Sequence, residues 1–275
     1  ELANGFSVSS AVSLLASRGH ALWMMVRVVE ADDCWAEMVQ LARDLEHPLS
    51  LASALGFALH GGGFRFSYPG QMDRLLGVAD ELIALSREAD FFFWYADACW
   101  YRGIIAEAVG DARRARSQMQ EGRELFAQTG SQLSLVMMNV ICAEAFHRLG
   151  DEEEARLLLD AAEAEMIARQ EGLMAPEIWR VRGRLLAGHG DRCAAEAAYR
   201  HAIERARGQR AVSLELRAAL DLHDLYADIG RGEEGRALLA GLVHRFTQGL
   251  DRPELARARA IVHAPSCRPV ITAGG

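Results

Sequence analysis

The sequence predicts an all-α solenoid, a stack of about six helical hairpins closed by a C-terminal capping helix. Three observations carry that expectation. Glycine recurs every 40 residues at Gly70, Gly110, Gly150, Gly190 and Gly230, followed by aspartate at Asp111, Asp151 and Asp191. The flanks repeat as well: five positions on stand Leu75, Ala115, Ala155, Ala195 and Gly235, and nine positions on stand Ala79, Met119, Leu159, Tyr199 and Leu239. The composition is 51% hydrophobic and 25% charged with only six prolines, a mixture that favours helix almost everywhere. Fixed periods of this size mark repeat architectures, in which each unit buries its apolar face only against its neighbours. One elongated domain over residues 1–264 is therefore expected, with residues 265–275 as a flexible tail.

The units centre near residues 30, 70, 110, 150, 190 and 230. The first, around Glu30 to Asp33, lacks the glycine. The second carries a loose connector, GGGFRFSYPG, that ends at Gly70. The third offers Gly103, Ala106, Ala115, Met119 and Gly122; the fourth Cys142, Ala143, Phe146, Ala155, Leu159 and Ala162. In the fifth, Trp179, Gly183 and Leu186 share one face of a first helix, and Ala195, Tyr199 and Ala202 one face of a second. Small residues let such antiparallel helices approach closely, while Trp179 and Tyr199 fill the space between pairs. Gly190 suits a left-handed helix stop, and Asp191 a cap for the helix that follows. The sixth unit has Leu222, Tyr226, Gly235, Leu239 and Leu242. Pro253 to His263 reads as the capping helix, with Leu255, Ala258 and Val262 inward.

The run Trp179, Arg182-Gly183, Leu186, then Ala195 and Tyr199, resembles the tetratricopeptide repeat pattern W-x2-L-G-x2-Y, then A-x3-F. That resemblance implies a right-handed α-α superhelix. The 40-residue period exceeds the usual 34 and also suits HEAT-like units, but the small-residue columns favour the tetratricopeptide type. Three segments, Ala42 to Leu55, Ala211 to Leu222 and Gly230 to Val262, resemble the C-terminal repeat region of large bacterial signalling proteins. In those proteins an ATPase module precedes the repeats, behind a class III adenylate or guanylate cyclase or a winged-helix transcriptional-regulator head. The resemblance implies a non-catalytic interaction and sensing module that binds a protein or peptide, or a small-molecule signal. A chain that opens at Glu1 fits a piece of such a longer protein.

Composition removes several chemistries. All 30 basic residues are arginine, so neither a Walker A lysine nor a Schiff-base lysine is present. A net charge of −8 argues against nucleic acid. The five cysteines are scattered and never form C-x-x-C, which fits reduced thiols in the cytoplasm rather than a zinc site or a disulfide frame. No apolar run reaches the length of a membrane span, and no signal peptide is evident. The nine histidines never form H-E-x-x-H and read as surface or helix-end residues, so no metal and no cofactor is expected.

First helices line the concave face of a solenoid. On it the sequence places Trp100, Tyr101, Glu107, Met137, Glu144, Arg148, Arg180, Arg184, Arg217 and Asp221, an aromatic half grading into an arginine-carboxylate half. One reading is a partner groove with Trp100 and Tyr101 as anchors and the arginines for acidic groups; the other makes the large apolar residues core and the arginines a solvated face. The aromatic run from Phe91 to Tyr101 likewise reads as core or as a homodimer contact. A different class of function is a helical-toroid hydrolase in which Glu144 and Asp221 converge for acid-base work.

Overall fold

The computed structural model describes residues 7–63, 71–132, 134–250 and 252–264. Among them the chain is all-helical, without a strand: α1 (Ser10–Met24), α2 (Val28–Asp44), α3 (Pro48–Gly63), α4 (Met72–Glu88), α5 (Phe92–Ala108), α6 (Ala112–Gln128), α7 (Leu135–Arg148), α8 (Glu152–Arg169), α9 (Ala175–Gly188), α10 (Arg192–Gly208), α11 (Val212–Asp228), α12 (Gly232–Val243) and α13 (Pro253–His263). Consecutive odd and even helices pack as hairpins, and α13 packs on α11 and α12. In α10 the buried residues Ala195, Ala198, Tyr199, Ala202, Ile203 and Ala206 fall at helical spacing, which gives the single apolar stripe that a stacked helix needs. No described helix is long and apolar enough to cross a membrane.

Reversals come every 20 residues. Gly110, Gly150, Gly190 and Gly230 take φ of 85°, 80°, 84° and 77°, and between them Asp90, Gln170 and Arg210 take 56° each and Gly130 takes 63°. Each of the first four ends its helix the same way: Gly190 N donates to Ala187 O at 3.0 Å and Asp191 N to Leu186 O at 3.0 Å, which satisfies two orphan carbonyls. Asp111 and Asp191 then cap the next helix by accepting from Arg114 N at 3.1 Å and Ala194 N at 3.0 Å. Asp151 makes no such cap; its carboxylate meets Arg116 instead.

Two expectations about the first units need correction. The first hairpin turns at Val26, with φ 61°, rather than near residue 30, so a buried β-branched residue holds the left-handed position that glycine fills elsewhere. The glycines at 61–63 belong to α3 and not to a loose connector, while 64–70, Gly70 included, lie outside the described residues. Gly61 is small for packing: a Cβ there would stand 2.8 Å from Trp35 Cε2.

Among the described residues every odd helix packs on the next odd one, whereas no even helix packs closely on another. The stack therefore curves with odd helices inside. The curvature is tight enough for α1 to touch α11, where Ser213 Oγ donates to Trp23 O at 2.8 Å. Beside that contact Arg252 reaches Asp32 at 2.6 Å, and Gln248 Oε1 accepts from Val29 N at 3.2 Å. The ends of the stack meet, and the inner helices leave no long open wall.

Small residues set the helix spacing. A Cβ on Gly122 would lie 2.4 Å from the Cα of Trp100, a backbone atom, whereas Gly77 in α4 faces open space. We expect Gly122→Ala to cost about 1–3 kcal/mol or more from overpacking, and Gly110→Ala about 1–2 kcal/mol from the left-handed backbone. Gly77→Ala should instead add about 0.5–1 kcal/mol. Urea unfolding of the three variants checks the ordering.

Candidate functional site

The aromatic half of the expected concave surface is core. Trp100 and Tyr101 are fully buried and Met137 is buried, because the curvature presses α3, α5 and α7 together at these positions. Trp100 Nε1 donates to Cys142 Sγ at 2.7 Å. Of the run from Phe91 to Tyr101, Phe92 alone is exposed among the large hydrophobic residues; Trp94 packs on Phe57 and Phe93. His60 also departs from the surface reading. It is buried in α3 with its Nε2 3.0 Å from Asp97 Oδ1 on α5, and its ring stacks on Tyr101. A buried carboxylate needs such a partner.

The charged half does converge. Glu107, Glu144, Arg148, Arg180, Arg184, Arg217 and Asp221 line one cleft of about 480 Å³ between α5, α7, α9, α11 and α13. At its base Arg180, only 1% exposed, donates through Nε and Nη2 to Glu177 at 2.9 Å each, through Nη1 to Asp221 at 3.0 Å, and lies 2.7 Å from Glu144. Arg184 grips Asp221 with Nε and Nη2 at 2.7 Å each and sends Nη1 to Glu144 at 2.9 Å. Arg217 donates to Glu177 at 2.6 Å and, past α9, to Glu144 at 3.3 Å. Arg148 holds Glu107 bidentately at 2.7 Å. Bidentate guanidinium-carboxylate pairs of this kind are the strong ones.

Glu177, Glu254 and Arg257 were not anticipated. The signal was present in the repeat itself: Arg217 and Glu177, and Arg184 and Glu144, are each 40 residues apart. One repeat in sequence is one step across the inner wall, so opposite charges at that interval face each other. Glu254 and Arg257 enter from α13, outside the register, with Glu254 3.5 Å from Arg217 Nε and Arg257 paired to Asp224.

Electrostatics divide the carboxylates. Burial alone would raise Glu144, but Arg180, Arg217, Arg184 and Arg148 outweigh it and hold it well below the usual range. Asp221 is lowered in the same way, burial being overcome by Arg180 and Arg184. Glu254 goes the other way: burial raises it by more than Arg217 and Arg180 return. Neither Glu144 nor Asp221 is available to carry a proton in the neutral range. Three guanidiniums lie outermost, with side-chain exposures of 38% for Arg148, 31% for Arg184 and 49% for Arg257, against 9% for Glu107, 11% for Glu144 and 6% for Asp221, while Arg217 at 15% lies below Glu254 at 22%. The base is neutralised internally, and the lip carries Arg148, Arg184 and Arg257, the last paired with the similarly exposed Asp224. Among the described residues no group of side chains could hold a metal ion.

Removing one partner of a buried ion network strands the others. Arg180→Met should therefore lower stability by about 3–5 kcal/mol in urea unfolding. Because the folded pKa values of Glu144 and Asp221 lie below their unfolded ones, this contribution is complete above the ordinary carboxylate range and drains as pH falls through and below it. Between about pH 6 and pH 3 the Tm of the natural chain should fall more steeply than that of Arg180→Met, as read by circular dichroism melts. No family model matches this chain, and no curated protein matches it.

Proposed function

We propose that the chain is a non-catalytic interaction and sensing module whose inner cleft receives an acidic, carboxylate-bearing segment of a partner. One observation carries the reading: Glu107, Glu144 and Asp221 lie beneath Arg148 and Arg184, which together with Arg257 present further N–H donors to an incoming anion. Arginine forks are suited to that recognition. Acid-base hydrolysis by Glu144 and Asp221 is disfavoured by the same geometry, since shared arginines keep both ionised.

The resemblance of the repeats to the C-terminal region of bacterial signalling proteins supports a place beside a cyclase, ATPase or DNA-binding head, and a tetratricopeptide-like right-handed superhelix. In this reading a bound segment bridges helices from α5 to α13 and resets the curvature of the stack, which is the output passed to the head. Homodimerisation is a second way to pass it.

Titration of the purified chain with a hexaglutamate peptide, followed by calorimetry, tests the reading. Binding should weaken as salt rises through the physiological range, where the Debye length is about 8 Å. Arg148→Glu and Arg257→Glu, both at exposed lip positions, should each weaken it at least tenfold with helicity unchanged. Binding that ignores these reversals, or the absence of any binding, would overturn the assignment.

A further inference from the structure

Along the stack each even helix packs on the odd helix that follows it, α2 on α3, α4 on α5, α8 on α9 and α10 on α11, but α6 does not pack closely on α7. The gap is a groove of about 1300 Å³ between the outer helices α6 and α8, floored by the side of α7 that faces away from the cleft. Small-molecule sites occupy roughly 300–1,000 Å³, so this volume suits a segment of polypeptide.

Asn139 lies on that floor. It is 7% exposed, and its side chain has no hydrogen-bond partner among the described residues. Its polar atoms are not shut away from water, so at the groove floor they are open to a ligand's donor and acceptor. Its carbonyl accepts and its NH2 donates, the pairing that a single peptide group of another chain can answer. A helix has already spent its main-chain groups on itself, so an extended segment is the form that fits.

Apolar side chains flank the amide: Leu135 is half-buried and Leu157 is 49% exposed at the groove wall. The charge of the walls is acidic. Arg116 and Arg123 are used in crossing to Asp151 and Glu154, and Glu153 is paired with Arg156, while among the described residues Glu124 and Glu152 meet only Gln120, at 3.1 Å, and His147, at 2.9 Å. We infer that the α6/α8 groove binds an extended peptide segment of alternating apolar and basic residues, with its main chain held by Asn139. Alternation follows from the extended backbone, which sends successive side chains to opposite sides, one toward Leu135 and Leu157 and the next toward the carboxylates. This site is independent of the inner cleft and selects the opposite charge.

The test is fluorescence anisotropy with a labelled heptapeptide alternating leucine and arginine, its leucine-glutamate counterpart, and a leucine-arginine version with the central amides N-methylated. The leucine-arginine peptide should bind saturably and at least tenfold tighter than either of the others. Leu157→Gln, at an exposed position, should weaken it at least fivefold without change of charge, and Asn139→Leu at least tenfold; Arg148→Glu, in the inner cleft, should leave it unaltered. Should Asn139→Leu not fold, the N-methylated peptide and Leu157→Gln decide. Equal binding of the N-methylated peptide, indifference to Leu157→Gln, or no saturable binding of the leucine-arginine peptide overturns the inference.

Discussion

Unequal crowding on the two sides of the stack is the constraint from which the rest follows. Odd helices touch their odd neighbours while even helices stand apart, so each hairpin adds a wedge and the inner side shrinks. That shrinkage buries Trp100 and Tyr101, forces His60 against Asp97, and brings Arg217 to Glu144 across an intervening helix. Side chains that would be solvated on an open ribbon are here dry enough to need partners. The glycines make the wedge feasible, because Gly103 and Gly122 let α5 and α6 approach at backbone contact.

The ion network around Arg180 is better understood as a device of specificity than of raw stability. Taking Arg180, most of Arg217 and their carboxylates out of water is costly, and a well-packed apolar filling would serve at least as well energetically. The charged version, however, accepts one register only. Arg184 meets Asp221 through two nitrogens and Glu144 through the third, and a slip of one residue along α9 would break all three bonds together. For this chain, fixing the relative height of α7, α9 and α11 is the role the network's geometry suits.

Much of the architecture could be read in the sequence, and the reasons for the rest are physical. Gly110, Gly150, Gly190 and Gly230 announce the reversals inside hairpins. The reversals between hairpins stayed hidden because Asp90, Gln170 and Arg210 hold the same left-handed conformation, stabilised by the same helix-end hydrogen bonds, as with Ala211 N to Ala206 O at 2.9 Å. Periodicity identified which residues share the inner face but not how strongly that face bends. Seven of the ten residues assigned to it therefore line the cleft while Trp100, Tyr101 and Met137 sink into core. Glu254 was invisible for another reason: it arrives from α13, whose approach depends on tertiary packing and on no repeat. Asn139, one letter among apolar neighbours in α7, gave no periodic signal at all.

The contact between α1 and α11 changes what kind of array this is. In an open chain of repeats, each end has one bare flank, and stability accumulates one neighbour at a time. Here Trp23, Val29 and Asp32 rest on Ser213, Gln248 and Arg252, so the earliest and latest helices shield one another. A push that widens one wedge is shared between its neighbours and that seam, so the two ends of the stack are mechanically linked through it.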